Sequence, residues 1–161
     1  FKNNGKTELE LGGDAPAGEL GLMTIGNSAQ MFLAAMIFDG VFDRHPRLKT
    51  VSMEHAATWL PSWLNSLDYT SSIFGRLRKF NQSPSDTARE RIKVSPFAGE
   101  PVGWIIENVG PDMLVFASDY PHPEGTNDPI RRFEAKMTNC DEATMDKFYY
   151  RNMEELMGIQ V

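Results

Sequence analysis

Three short strand-like runs, Leu48–Glu54, Arg91–Phe97 and the apolar Met113–Ala117, are separated by stretches whose apolar residues fall at helical spacing. Runs this short suit strands buried on both faces, as in a parallel sheet covered by helices. Parallel neighbours can be joined only by a crossover, so strands alternating with helices build parallel βα units. The pattern predicts an α/β fold. It also predicts where function gathers, because such sheets bind ligands beyond the carboxyl ends of their strands.

The intervening stretches carry their own punctuation. Asn27 or Ser28 is placed to cap a helix with Met31, Ala34, Ala35, Phe38, Val41 and Phe42 on one face, ending before Pro46. His45 then sits at the helix end, where a cation suits the dipole. A second helix starts near Trp59, with Leu60, Trp63, Leu64, Leu67 and Phe74 inward, and the polar stretch Asn81–Glu90 begins a short one. Glu100 and Pro101 open a helix that carries Val102, Ile105, Ile106 and Val109 and stops at Gly110. Asp128 caps one through Ile130, Phe133 and Met137, and the last spans Asp141–Met157 with Gly158 as its stop. Phe1–Gly26 has no periodicity and reads as a glycine-rich loop before the first helix.

With 161 residues the chain suits one core rather than two domains. A net charge of −6 argues against nucleic acid as a partner. No apolar run is seen to approach the roughly 20 residues of a membrane span, and no secretory signal is visible, so no membrane partner is expected. The single cysteine, Cys140, cannot close an internal disulfide, which fits a cytoplasmic protein.

Two of the three histidines and one aspartate fall at strand ends: His55 after the first run, Asp119 and His122 after the third. A His and an Asp at neighbouring strand ends suit a divalent metal or an acid–base pair. Asp119 capping a turn is the competing reading, since Asp, Pro and Gly are ordinary turn formers. A metal centre generally needs three protein ligands, and this pair alone falls short. Ser118 lacks the flanking glycines of a nucleophile elbow. HExxH and glycine-rich phosphate loops are absent from the sequence.

Gly40–Asp68 (GVFDRHPRLKTVSMEHAATWLPSWLNSLD), Phe116–Gly125 (FASDYPHPEG) and Phe148–Gly158 (FYYRNMEELMG) together resemble the amidohydrolase-related family, metal-dependent TIM-barrel hydrolases and decarboxylases. The resemblance covers nearly the whole chain from Asn27 onward, with three anchors in the right order and separation. It implies a single partial domain over residues 1–161: the C-terminal part of a TIM (β/α)8 barrel, about three parallel strands with flanking helices, corresponding to the sixth to eighth.

By the same resemblance, His55 is a catalytic acid or base, and Asp119 is a metal ligand that also takes a proton from water. His122 and Glu124 line the substrate pocket. The implied cofactor is a divalent metal, expected to be zinc, and the implied partner a small-molecule substrate, with room for a homo-oligomer. The implied activity is hydrolysis of a C–N or C–O bond by metal-activated water. The alternatives are decarboxylation of an unsaturated or aromatic carboxylate, or a non-catalytic half-barrel module. The family's early His-x-His pair and its fifth-strand His have no counterpart here, so the chain is expected to be the C-terminal half of a longer enzyme and inactive alone. Many relatives carry glycines after the sixth-strand His, where this chain has Ala56 and Ala57, and a differently shaped loop is expected there.

Overall fold

The three strand-like runs lie side by side and parallel. In the computed structural model, which describes residues 19–77, 79–122 and 125–159, strand β1 (Thr50–Ser52) pairs with β2 (Ile92–Val94) in the register Thr50 with Ile92 and Ser52 with Val94. Val94 also forms a parallel bridge to Leu114, with Val94 N donating to Met113 O at 2.8 Å and Val115 N to Val94 O at 3.0 Å. The order is thus first, second and third run, each joined to the next through helices. The ladder is shorter than the sequence predicts, and the third run contributes one bridge rather than a full strand.

Helices α1 (Glu19–Thr24), α2 (Gly26–Phe38) and α3 (Val41–Arg44) precede β1; α4 (Leu60–Phe74) and α5 (Pro84–Arg91) join β1 to β2. Helix α6 (Val102–Val109) leads to the third run, which α7 (Pro129–Glu134), α8 (Glu142–Asp146), a π-helical turn (Lys147–Arg151) and α9 (Asn152–Met157) follow. One buried cluster joins the inward residues of α2, α4 and α6 to Ile92, Val94 and Leu114, and continues to Phe133, Met137 and Phe148. Both faces of the ladder are covered, since Met113, Leu114 and Val115 are all fully buried.

Several elements depart from the sequence-based expectation. The stretch read as loop is helical from Glu19 onward, while residues 1–18 lie outside the described residues. Because α1 runs almost directly into α2, there is no free end for Asn27 or Ser28 to cap; Ile25 takes that position in helical conformation. Helix α2 buries Ala29, Leu33 and Ile37, leaving Met31 and Phe32 exposed. The helix is apolar all round, so its period did not fix which stripe faces the core. The Glu19–Phe38 stretch also reaches the length and hydropathy of a membrane span, a property shared by core helices; part of it is buried within this fold. Gly40, at φ 69°, ends α2 and starts α3, with His45 at the end of α3 as expected. Phe74 and Ile130 are exposed rather than inward.

The C-terminal helix is interrupted by its π turn, and the interruption has a use. Phe116 N donates to Phe148 O at 3.0 Å, so a helix carbonyl bonds to the third run where a strand would otherwise lie. Asn152, fully buried one residue past the π turn, donates through Nδ2 to Pro111 O and Leu114 O, each at 2.8 Å. Phe116, Phe133 and Phe148 pack with ring centroids 5.0–6.1 Å apart. Backbone, amide and aromatic contacts thus fasten the same helix to the same run.

At the amino ends of the strands lies a buried cation. Lys93, 2% exposed, donates to Asp112 O at 2.6 Å and pairs with Glu155 Oε2 at 3.1 Å, while Lys49 reaches Glu155 Oε1 at 2.7 Å. Partial burial pushes the Glu155 carboxyl up, but the hydrogen bonds and charges of Lys49 and Lys93 outweigh it and leave the group below its ordinary value of 4.5. A carboxyl lowered by folding stabilises the fold above its unfolded value, and that contribution is lost as pH falls through the folded value. Glu155→Gln is therefore expected to cost between the ~1 kcal/mol of an exposed pair and the ~3 kcal/mol of a buried one at pH 7. Chemical denaturation of both proteins from pH 7 to pH 3 should show the gap closing below about pH 4.5; a gap independent of pH would show that the carboxylate charge is not what stabilises the helix.

Candidate metal centre

At the opposite ends of the strands the chain reverses through residues with unusual backbone geometry. Glu54 (φ 62°), Ala56 (φ 56°) and Asp119 (φ 53°) all adopt the left-handed conformation, which costs a non-glycine residue about 1–3 kcal/mol and persists only where the surroundings over-determine it. Glu54 and Ala56 flank His55 just beyond β1, and Asp119 follows the third run. The strain marks the two loops that carry the sequence-predicted residues.

The left-handed turn at Asp119 is fixed by backbone bonds. His122 N donates to Asp119 O at 2.9 Å, Gly125 N to His122 O at 3.0 Å and Thr126 N to Ser118 O at 3.1 Å, and the Tyr120–Pro121 bond is cis. Gly125 lies so close to the Asp119 carbonyl that a Cβ there would fall far inside contact distance of it. This glycine is required by close approach, not by its own φ.

The β1 loop is held from two sides. The Trp59 indole Nε1 donates to His55 O at 2.9 Å and Ala56 O at 3.0 Å, and Trp59 stacks edge-on against Trp63 with centroids 5.4 Å apart. On the other side the Glu100 carboxylate accepts from Ala57 N at 2.9 Å, from Thr58 N at 2.7 Å, from the Thr58 hydroxyl, and from Phe97 N at 2.7 Å. Ala56 takes the left-handed conformation despite its side chain, and these bonds hold its loop in place.

The loops bring together Glu54, Asp119 and His122, whose ligand atoms all lie within 4.8 Å of one another. The His122 Nδ1 stands 4.0 Å from Asp119 Oδ1, with Asp119 largely buried and His122 half-exposed. A tetrahedral ion about 2.1 Å from each donor needs donors roughly 3.4 Å apart, a distance that side-chain rotations drawing the three inward would reach. Two carboxylates and an imidazole are hard and borderline donors suited to zinc or manganese. The residues fit a divalent ion.

His55 is not in that triad. Its Nδ1 lies 3.3 Å from Ser52 Oγ, and its side chain lines a cavity of about 430 Å³ with Ser28, Phe32, Val51 and Met53. The proposed acid–base group thus faces this cavity, and it shares one loop with the candidate ligand Glu54. Glu124 lies outside the described residues. Sequence reasoning missed Glu54, read as the last residue of a strand, and Glu100, read as a helix opener. The signal for Glu54 was its place beside His55; for Glu100 only the fold supplies one, because its partners Ala57 and Thr58 are more than 40 residues away.

Comparison with known proteins decides the family. A model of the Amidohydrolase family matches residues 24–159. The chain belongs to that family. Its fold is similar to an amidohydrolase from Mycobacterium avium subsp. paratuberculosis, with TM-score 0.75, 25% identity, and coverage of 94% of this chain and 39% of that one. It is also similar to 5-carboxyvanillate decarboxylase from Sphingomonas paucimobilis, with TM-score 0.62, 28% identity, and coverage of 79% and 38%. A third structure, 5-carboxyvanillate decarboxylase from Novosphingobium aromaticivorans with bound manganese, shares the fold at TM-score 0.68 and 24% identity, covering 94% and 43%. The chain spans about 40% of the length of these proteins. The fold is therefore a partial TIM barrel, as the sequence resemblance implied.

Gly125→Ala tests the geometry directly. The added methyl group must displace the Asp119 backbone, and overpacking of this kind costs about 1–3 kcal/mol, roughly 2–4 °C of Tm per kcal/mol at this size. Thermal unfolding should register the loss; a Tm equal to wild type would mean that the loop accommodates the methyl and that the close approach is not a constraint.

Proposed function

We propose that this chain carries the acid–base residues and part of the divalent-metal site of a metal-dependent hydrolase or decarboxylase acting on a small molecule. The convergence of Glu54, Asp119 and His122 at the carboxyl ends of two parallel strands, with His55 on the same loop as Glu54, carries the reading. Asp119 is the ligand best placed to accept a proton, since its carboxylate is mostly shielded from solvent and held by a rigid turn. A divalent ion there would lower the pKa of water towards about 7 or polarise a substrate carboxylate.

His55 faces the cavity beside β1 and, oriented by the Ser52 hydroxyl, donates a proton to the reacting atom of the substrate. Of the two reactions, decarboxylation of an aromatic carboxylate is favoured by the likeness to the Sphingomonas enzyme. The proton from His55 then goes to the carbon that loses carbon dioxide. Hydrolysis is the second reading, supported by the family itself; there Asp119 takes the proton of the attacking water and His55 protonates the leaving group. Zinc was the sequence-based choice of metal. The manganese bound in the Novosphingobium decarboxylase makes manganese an equal candidate, and either suits the donor set.

The remaining barrel strands supply the other ligands, so the chain alone is expected to bind Mn2+ weakly and to show no turnover. In the complete barrel, His55→Gln and Asp119→Asn are each expected to lower kcat by about 10²–10⁴-fold. Assays on hydroxybenzoates, lactones and amides, scored for carbon dioxide release against hydrolysis, separate the two reactions. Full turnover by Asp119→Asn would sink the assignment.

A further inference from the structure

We propose that Glu100 is a positioning residue of this site: by bridging the loop after β1 to the loop after β2, its carboxylate sets the orientation of His55 and Glu54. The inference rests on the metal-enzyme reading for its functional meaning, though not for its geometry. Glu100 Oε1 and Oε2 collect Ala57 N at 2.9 and 3.1 Å, Thr58 N at 2.7 Å and the Thr58 hydroxyl from one loop, and Phe97 N at 2.7 Å from the other. Every group named is a donor facing an acceptor. The carboxylate is thus the hub on which both loops end.

Two features make its position matter. Glu54 and Ala56, on either side of His55, are left-handed, so this turn relaxes unless something holds it. Trp59 grips the His55 and Ala56 carbonyls, and Glu100 grips the next two residues, Ala57 and Thr58. Ala57 is fully buried. The amides that Glu100 binds also lie just ahead of α4, where the helix dipole favours an anion. A carboxylate is needed rather than an amide. Glutamine has one carbonyl oxygen, and its NH2 group would confront either Phe97 N–H or the Ala57 and Thr58 donors. Glu100→Gln therefore keeps the volume and releases one loop.

The chain's three histidines allow a direct spectroscopic test on the 161-residue protein. At pH 8, folded Glu100→Gln should show a displaced His55 ring resonance and a weakened nuclear Overhauser effect between His55 and Ser52, with His45 unmoved. Glu155→Gln, which perturbs the opposite ends of the strands, serves as the control for mere destabilisation and should leave the His55 signals in place. Thr58→Val, which deletes a single donor, should produce a smaller displacement in the same direction, and it carries the test should Glu100→Gln not fold. Unchanged His55 signals in a folded Glu100 or Thr58 variant, or equal changes in Glu155→Gln, overturn the proposal. Mn2+ tests the metal reading separately. Selective broadening of the His122 resonance relative to His45 in wild type supports it, with about tenfold more Mn2+ required in Glu100→Gln. Absence of selective broadening in wild type, even at Mn2+ concentrations high enough to fill a weak site, removes the metal reading, while the His55 signals still decide the role of Glu100.

Discussion

The parallel ladder through Ser52, Val94 and Leu114 is the constraint on which the rest of this structure depends. Parallel neighbours present their carboxyl ends at one edge, and a crossover helix must return the chain each time. Residues distant in sequence, 54 and 119 among them, are therefore delivered to one place without any direct link between them. The opposite edge is then free for stability. There Lys93, Lys49 and Glu155 tie the last helix to the strand starts.

This division between the two edges explains the distribution of strain. Among the described residues, the left-handed ones that are not glycine all lie in the loops at the carboxyl edge, where strained backbone can be held for chemistry. Bonds limit the freedom of both loops: the Trp59 indole and Glu100 carboxylate around Ala56, the tight turn closed by Gly125 around Asp119. At the amino edge the same chain uses a buried lysine and a half-exposed carboxylate, an arrangement that contributes to stability without demanding fine geometry.

A partial barrel leaves one side of its ladder unmatched by a strand. On the third run this chain meets the problem with a helix carbonyl and the Asn152 amide. Beside β1, the cavity lined by α2 and β1 is bordered by the exposed Phe32 and Met53.

Sequence alone determined the alternation of strand and helix and the parallel class, because these rest on local periodicity; the family followed from the likeness of three segments, and Asp119 became a candidate ligand from its place after the third run. It also placed His55 and His122 on the correct loops. Which stripe of α2 faces inward was undetermined, since an apolar-all-round helix has no preferred face until its neighbours are present. Only the tertiary structure joined Glu54 to Asp119 and His122, placed His55 beside Ser52, and revealed Glu100 as the bridge between loops. Those relations are set by folding of segments more than 40 residues apart, and no local pattern encodes the distance between two strand ends.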